Sequence, residues 1–293
     1  MIELIITHPG SAHKDEFLAC AVLLSKHQVP IVRREPTIDD LSNPAIAVID
    51  VGGEHEPGRN NFDHHQFPRE QEPACSLSLV LQNLELYEDA LEFCPWLQVT
   101  EYFDCRGPEE TARWLCMDRE TLGKLNSPLD SILLRRFADQ TLHKPGEIIW
   151  ENMRIIGTDL IEYITNQREH LKFIAQHAEI WTIEQGLITF KVLFLPRTDP
   201  LREDASASLV NYIFSLGLEQ EVIGLIYPDS RGTGYGLRRF KDNPSLDFGK
   251  LEGQEDVHFI HAQGFIAKTS STDNERLKQL VRNAHTGSVN IAS

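Results

Sequence analysis

The stretch IELIITHPGSAHKDEFLACAVLL, residues 2–24, changes period in the middle. IELIIT is a short apolar run of the kind a fully buried strand shows, and DEFLACAVLLSKH reads as a helix. His8, His13 and Asp15 stand between the two. They therefore occupy the loop at the carboxyl end of a strand, where open α/β sheets collect ligands and chemistry.

Working outward, PIVRRE reads as a second strand and AIAVID as a third, which ends on Asp50 and is followed by Gly52 and Gly53. SLSLVLQNLELYEDAL reads as another helix. Strands separated by helices of this length imply an α/β fold with a mostly parallel sheet and helices on both faces. From about residue 109 to residue 180 the pattern is helical, ending in the long EIIWENMRIIGTDLIEYITNQREHLKFIAQHAEI. LITFKVLFLP, EVIGLIYP and GYGLRRF then read as strands, with helices at ASASLVNYIFSLGL and DNERLKQLVRNAH. The change of period places a domain boundary near residue 180. It gives an N-terminal domain over 1–180 and a smaller α/β domain over 181–293, with the long helix a candidate for sharing between them.

The segment NNFDHHQF, residues 60–67, adds Asp63, His64 and His65. Six of the chain's 12 histidines fall in the first 65 residues, where even spacing would put roughly three. His27 and His55 fit no ligand pattern and read as surface residues. The other four gather with Asp15, Asp50 and Asp63 at strand ends that a parallel sheet brings together. Imidazole nitrogens and carboxylate oxygens in one set suit Mn²⁺, Mg²⁺, Co²⁺ or Zn²⁺. A carboxylate shared by two such ions holds them roughly 3.5–4 Å apart, the separation used in phosphoryl transfer. Without cations, crowded carboxylates repel by up to about 4 kcal/mol per close pair at an effective dielectric near 20.

Composition narrows the alternatives. Hydrophobic residues at 41% and charged residues at 25% are ordinary for a globular protein, and no apolar run reaches the roughly 18 residues of a membrane span. The N-terminus lacks the charge pattern and apolar length of a signal peptide, so the expected location is the cytoplasm. Five cysteines with no C-x-x-C pair argue against a disulfide framework and a thiolate zinc site. A net charge of −16 disfavours a broad grip on duplex nucleic acid, although a small basic pocket can sit on an acidic body.

THPGSAHKDE (7–16), VIDVGGEHEPGRNNFDHHQ (48–66) and HFIHAQGFIAKT (258–269) resemble the signature blocks of the melanocyte-proliferating-gene family. That family sits in the DHH phosphoesterase superfamily with RecJ exonuclease, oligoribonucleases and family II inorganic pyrophosphatases. The resemblance implies a two-domain enzyme with two divalent ions, usually manganese, in the N-terminal domain, and a C-terminal domain that binds substrate. It assigns His8, His13, Asp15 and His64 as metal ligands and Asp50 as the bridging one. Asp63 would orient His64 from behind, and His65 would face the scissile phosphate. A fourth acid is expected in TEYFDCRGP (100–108), where Asp104 is preferred to Glu101 because a short side chain holds a metal pair more rigidly.

In RGTGYGLRRFKD (231–242), glycines alternate with Arg231, Arg238 and Arg239, and residues 228–250 hold five bases against three acids. Guanidinium forks suit phosphate oxygens. Neighbours on a strand face opposite ways, so one of Arg238 and Arg239 is expected to reach a substrate. His261 and Gly264 complete the candidate substrate-binding set, with Phe265 read as core. The function expected is hydrolysis of a phosphodiester at the end of a short single-stranded nucleic acid. A small phosphate compound (a dinucleotide or pyrophosphate) is the second reading, and a metal- or nucleotide-binding protein without turnover the third. A homodimer is compatible with the sequence, which does not specify the oligomeric state.

Overall fold

The computed structural model describes residues 1–201 and 205–287. It divides into two compact units, residues 1–166 and 167–293.

The first unit is built on a six-stranded sheet: β1 (Leu4–Thr7), β2 (Ile31–Arg33), β3 (Ile46–Ile49), β4 (His55–Glu56), β5 (Asn61–Phe62) and β6 (Leu142–His143). The spatial order is β4-β5-β3-β1-β2-β6, with β2, β1, β3 and β5 mutually parallel and antiparallel strands at both edges. Its helices are α1 (Lys14–Leu24), α2 (Ile38–Ser42), α3 (Ser76–Asn83), α4 (Tyr87–Phe93), α5 (Trp96–Trp114), α6 (Arg119–Lys124), α7 (Pro128–Ala138) and the first part of α8 (Ile148–His177). The apolar runs read as central strands are buried as that reading requires: Ile5, Ile6, Ala47, Val48 and Ile49 are all inaccessible. Around them α1, α3 and the start of α8 close a core that includes Phe17, Leu77, Phe137, Trp150 and Met153. Gly157 lets α8 approach α1, because a Cβ there would lie 1.8 Å from the Ala21 carbonyl oxygen. SLSLVLQNLELYEDAL is two helices rather than one, broken at Glu85, whose φ of 58° no continuing helix tolerates.

The second unit contains the end of α8, a second six-stranded sheet and two further helices. Its strands are β7 (Glu179–Gln185), β8 (Ile188–Phe194), β9 (Val222–Pro228), β10 (Tyr235–Arg239), β11 (Val257–Ile260) and β12 (Ile266–Thr269), in the order β11-β12-β10-β9-β8-β7. All pairs are antiparallel except β8–β9, which α9 (Ala205–Ser215) connects. One sheet face packs on α10 (Asn274–Ala284) through Val192, Ile226, Leu237, Leu277 and Leu280, and a separate cluster joins Leu193 and Leu225 to Leu209 and Ile213 of α9. The sequence pattern joins Glu179 and Ile180 to the long helix, but they open β7. Among the described residues, no helix is long and apolar enough to cross a membrane.

Candidate metal centre

Three adjacent parallel strands deliver the site. β1 ends into His8, β3 into Asp50 and β5 into Asp63-His64-His65, so the donors emerge along one edge of the sheet. His13 is the N-cap of α1 and Asp15 and Glu16 lie in its first turn, where the positive end of the helix dipole favours carboxylates. Asp104 reaches the same place from α5. The ligand atoms form four overlapping groups, each within 4.8 Å: His8, His13, Glu16 and Asp50; Asp50, His64 and His65; Asp15, Asp50, His64 and Asp104; and His64, Asp104 and Cys105.

Asp50 joins three of these four groups. It is 2% exposed and takes a φ of 60°, the left-handed conformation that Asp and Asn adopt more readily than other non-glycine residues. Its Oδ2 faces His8 Nε2 at 3.6 Å, while Oδ1 faces His64 Nε2 at 3.0 Å and His65 Nδ1 at 3.9 Å. Neither oxygen accepts a hydrogen bond. His8 Nε2, Asp15 Oδ1, Glu16 Oε2, His64 Nε2 and Asp104 Oδ2 are likewise buried without a hydrogen-bond partner. Buried polar atoms are almost always satisfied, so this convergence of orphaned donors to metal is the signature of a cation site.

The imidazoles are held in the tautomer that a metal needs. His8 Nδ1–H donates to the Pro9 carbonyl at 2.9 Å, which leaves Nε2 with its lone pair toward Asp50 and Glu16. The Cys105 thiol donates to the Ala74 carbonyl at 3.5 Å, and His64 Nδ1–H lies 3.7 Å from the same sulfur, free to donate to it. Asp63 does not orient His64, contrary to the role the family resemblance assigns it. Its Oδ1 accepts from His65 Nδ1 at 2.7 Å and its Oδ2 from the Gly53 N–H at 2.6 Å, so it aligns the exposed ring of His65. His13, half-exposed, sits with Nδ1 3.9 Å from Asp104 Oδ1.

Electrostatics follow from crowding. Burial pushes the Asp15 carboxyl up to about 8, with Asp50 and Asp104 adding to the effect. Burial also pushes Glu16 up to about 9, against the opposing pull of Arg33. For His64, burial disfavours the charged ring, but the Asp104 and Asp50 carboxylates beside it outweigh that and push the imidazole up to about 12. Divalent cations relieve this accumulation of negative charge.

Glu16 and Cys105 are the donors that sequence reasoning missed, and Glu16 is the more deeply buried. It is fully buried, Oε1 accepts from Arg33 at 3.0 Å, and Oε2 faces His8 Nε2. Arg33 also donates to the Gly10 and Ser11 carbonyls at 2.9 and 3.1 Å, fixing the loop that carries His8 and His13. Glu101 is elsewhere: it accepts from Ser78 at 2.5 Å and Tyr87 at 2.8 Å and belongs to none of the four donor groups.

The remaining candidates lie in the second unit. Arg238 is exposed on β10 and makes no ion pair among the described residues. Arg239 is committed, its Nε donating to the Leu246 carbonyl and its guanidinium 3.7 Å from Asp247. Arg231 is exposed and its backbone N–H donates to Asp229. His261 packs its ring 4.0 Å from that of Phe265, which is half-buried and outside the core clusters. Gly264 has a structural reason to be glycine: φ is 64° and a Cβ would stand 2.1 Å from Asp247 Oδ1.

Residues 4–78 match the profile of the MYG1_exonuc family, described as Uncharacterised protein family (UPF0160). MYG1 exonuclease of Homo sapiens is 44% identical over 62 residues, which are 20% of this chain and 16% of that relative. The Mus musculus protein of the same name is 42% identical over 62 residues, with the same shares. The match thus spans about a sixth of the length of these curated relatives. A solved DHH-domain structure, from a member of a ribosomal-protein family, aligns with a TM-score of 0.33 and 13% identity, covering 95% of this chain and 85% of that one. The resemblance seen in the first two signature blocks, residues 7–16 and 48–66, is borne out by the family match, whose segment contains every donor of the cluster except Asp104 and Cys105.

Proposed function

We propose that the protein, whose residues 4–78 match the MYG1_exonuc family profile, is a metal-dependent phosphoesterase that hydrolyses the terminal phosphodiester of short single-stranded nucleic acids. The observation that carries this reading is Asp50, whose two buried, unpartnered oxygens face separate donor sets. His8, His13 and Glu16 would hold one divalent ion with Asp50. Asp15, His64 and Asp104 would hold a second, with manganese the expected metal. Such a pair supplies charge against phosphate oxygens and lowers the pKa of an attacking water.

The chain's own residues position and shield. Arg33 and Ser76 fix Glu16 and Asp15, so their free oxygens point at the cluster. Asp63 holds the His65 ring by Nδ1, leaving Nε2 on its exposed side to hydrogen-bond a substrate oxygen. In the second unit, Arg231 and Arg238 are both exposed and make no ion pair among the described residues, which leaves their guanidinium groups available to a phosphate.

The test is metal analysis of the purified protein followed by a hydrolysis panel in Mn²⁺. Two metal equivalents per chain and cleavage of short oligonucleotides are expected. Hydrolysis confined to pyrophosphate or a dinucleotide would replace the substrate. Full metal loading with no hydrolysis of any member would leave a binding protein.

A further inference from the structure

α5 is broken at Gly107, whose backbone (φ 77°, ψ 169°) leaves the helical region just before Pro108. On a continuous helix Tyr102 and Trp114 would stand about 18 Å apart, at 1.5 Å per residue. Here their rings stack 4.0 Å apart and 5° from parallel. The break thus brings two distant aromatics face to face, yet Trp114 remains 38% exposed and outside the core.

The stacked pair lines a cleft of about 510 Å³ together with three arginines, Arg69, Arg106 and Arg113, and two acids, Glu70 and Glu110. That volume lies within the usual range for small-molecule sites, roughly 300–1,000 Å³. Arg106 forms a fixed wall, donating to the carbonyls of Arg69 and, at 2.5 Å, Gln71. Arg113 pairs with Glu110 at 2.8 Å. Arg69 is exposed and makes no ion pair among the described residues, although Glu70 is its neighbour. A stack that merely fastened the halves of α5 would account for Tyr102 and Trp114, but not for an unpaired guanidinium beside them on a chain of net charge −16.

The cleft shares two chain segments with the metal cluster. Tyr102 and Arg106 stand one turn apart on α5, with Asp104 on the other face of that helix, and Arg69 follows His65 by four residues. We propose that the cleft is a nucleotide subsite: a base stacks on the open face of Trp114, and a phosphate of the same strand takes the Arg69 fork. This rests on the nucleic-acid reading above. Aromatic stacking accepts any base and guanidinium accepts any phosphate, so the subsite favours strand length over sequence.

The test uses the full chain in Mn²⁺ and a fluorescent, hydrolysis-resistant phosphorothioate pentanucleotide. Trp114→Ala should weaken binding about tenfold, and Trp114→Phe should restore most of it. Arg69→Ala should weaken binding and reduce the slope of log affinity against log salt by about 0.7, the single-strand value for one lost phosphate contact. Normal pentanucleotide binding by Trp114→Ala and Arg69→Ala, with oligonucleotides still cleaved, would overturn the subsite and leave the nuclease reading intact. An unchanged salt slope together with no rescue by phenylalanine would reduce the stack to a fastener of α5, also overturning it. If Trp114→Ala loses its circular-dichroism signature, the salt slope of Arg69→Ala decides. Wild-type protein that neither binds nor cleaves any nucleotide phosphodiester would remove the parent reading, before any variant is compared.

Discussion

Asp50 and Asp229 are buried alike, at 2% and 4% exposure, and both follow an apolar strand, but they live in opposite circumstances. Asp229, in the second unit, accepts from Lys268 Nζ at 2.7 Å and from the Arg231 N–H at 3.2 Å. Burial raises its carboxyl pKa, and these partners more than reverse that. Asp50, in the first unit, has only other metal donors around it and no hydrogen bond on either oxygen. An acid completed by protein partners is part of the scaffold. An acid left incomplete among imidazoles and other carboxylates has the surroundings that a cation could complete.

Asp50→Asn should separate the two cases most sharply. It should lower turnover by about a thousandfold, or roughly 4 kcal/mol, through loss of the shared ligand. It should also raise the stability of metal-free protein by on the order of 1 kcal/mol, because one crowded charge is gone. Steady-state kinetics and thermal melting in chelator check both. A metal-free variant that melts below wild type would make Asp50 a scaffold residue like Asp229.

Metal titration comes next. Saturating Mn²⁺ at about a hundredfold over its dissociation constant should stabilise the protein by about 2.7 kcal/mol. Hydrogen exchange should show that protection around residues 8–16, 50, 63–65 and 104, with β9 and β10 unchanged. Equal protection of both units would erase the difference between them.

That difference is partly legible in the sequence. Buried parallel strands write themselves as unbroken apolar runs, so β1 and β3, and with them His8 and Asp50, can be placed from pattern alone. β5 cannot: Asn61 and Phe62 are too few to show a period, and the strand exists because β3 offers it an edge. Glu16 escapes notice because an acid in the first helical turn has an ordinary explanation in the helix dipole. Its three-residue spacing from His13 on the same helical face is the available signal. The true partner of Asp63 is also out of reach, since it depends on the turn after β5 that swings His65 back over its carboxylate. Tyr102 and Trp114 give no hint of meeting, because Gly107-Pro108 reads as a helix boundary and says nothing about the angle across it.

Asp229→Asn tests the other half of the comparison. Losing the charge-assisted bond from Lys268 should destabilise the protein by about 1.5–3 kcal/mol without altering metal stoichiometry. Denaturant unfolding paired with metal analysis reads both quantities, and a loss of bound metal would tie Asp229 to the centre.

The smallest effect expected is a pH dependence confined to the second unit. Arg276 donates to Asp256 at 2.9 and 2.6 Å, and these bonds hold the Asp256 carboxyl below its ordinary value against the upward push of burial. A depressed folded-state pKa means the pair's contribution is fully present above the unfolded value of about 3.9 and is lost as pH falls through the lower folded value. Both side chains are a quarter exposed, so solvent screening limits the contribution to about 1 kcal/mol or less. Arg276→Gln should therefore flatten the acid limb of a melting-temperature profile below about pH 4, while leaving the Mn²⁺-induced shift at neutral pH untouched. Parallel acid limbs in the two proteins would show that Asp256, although paired, contributes nothing. Pairing alone would then fail to mark an acid as scaffold, and the distinction between Asp229 and Asp50 would have to rest on burial and crowding instead.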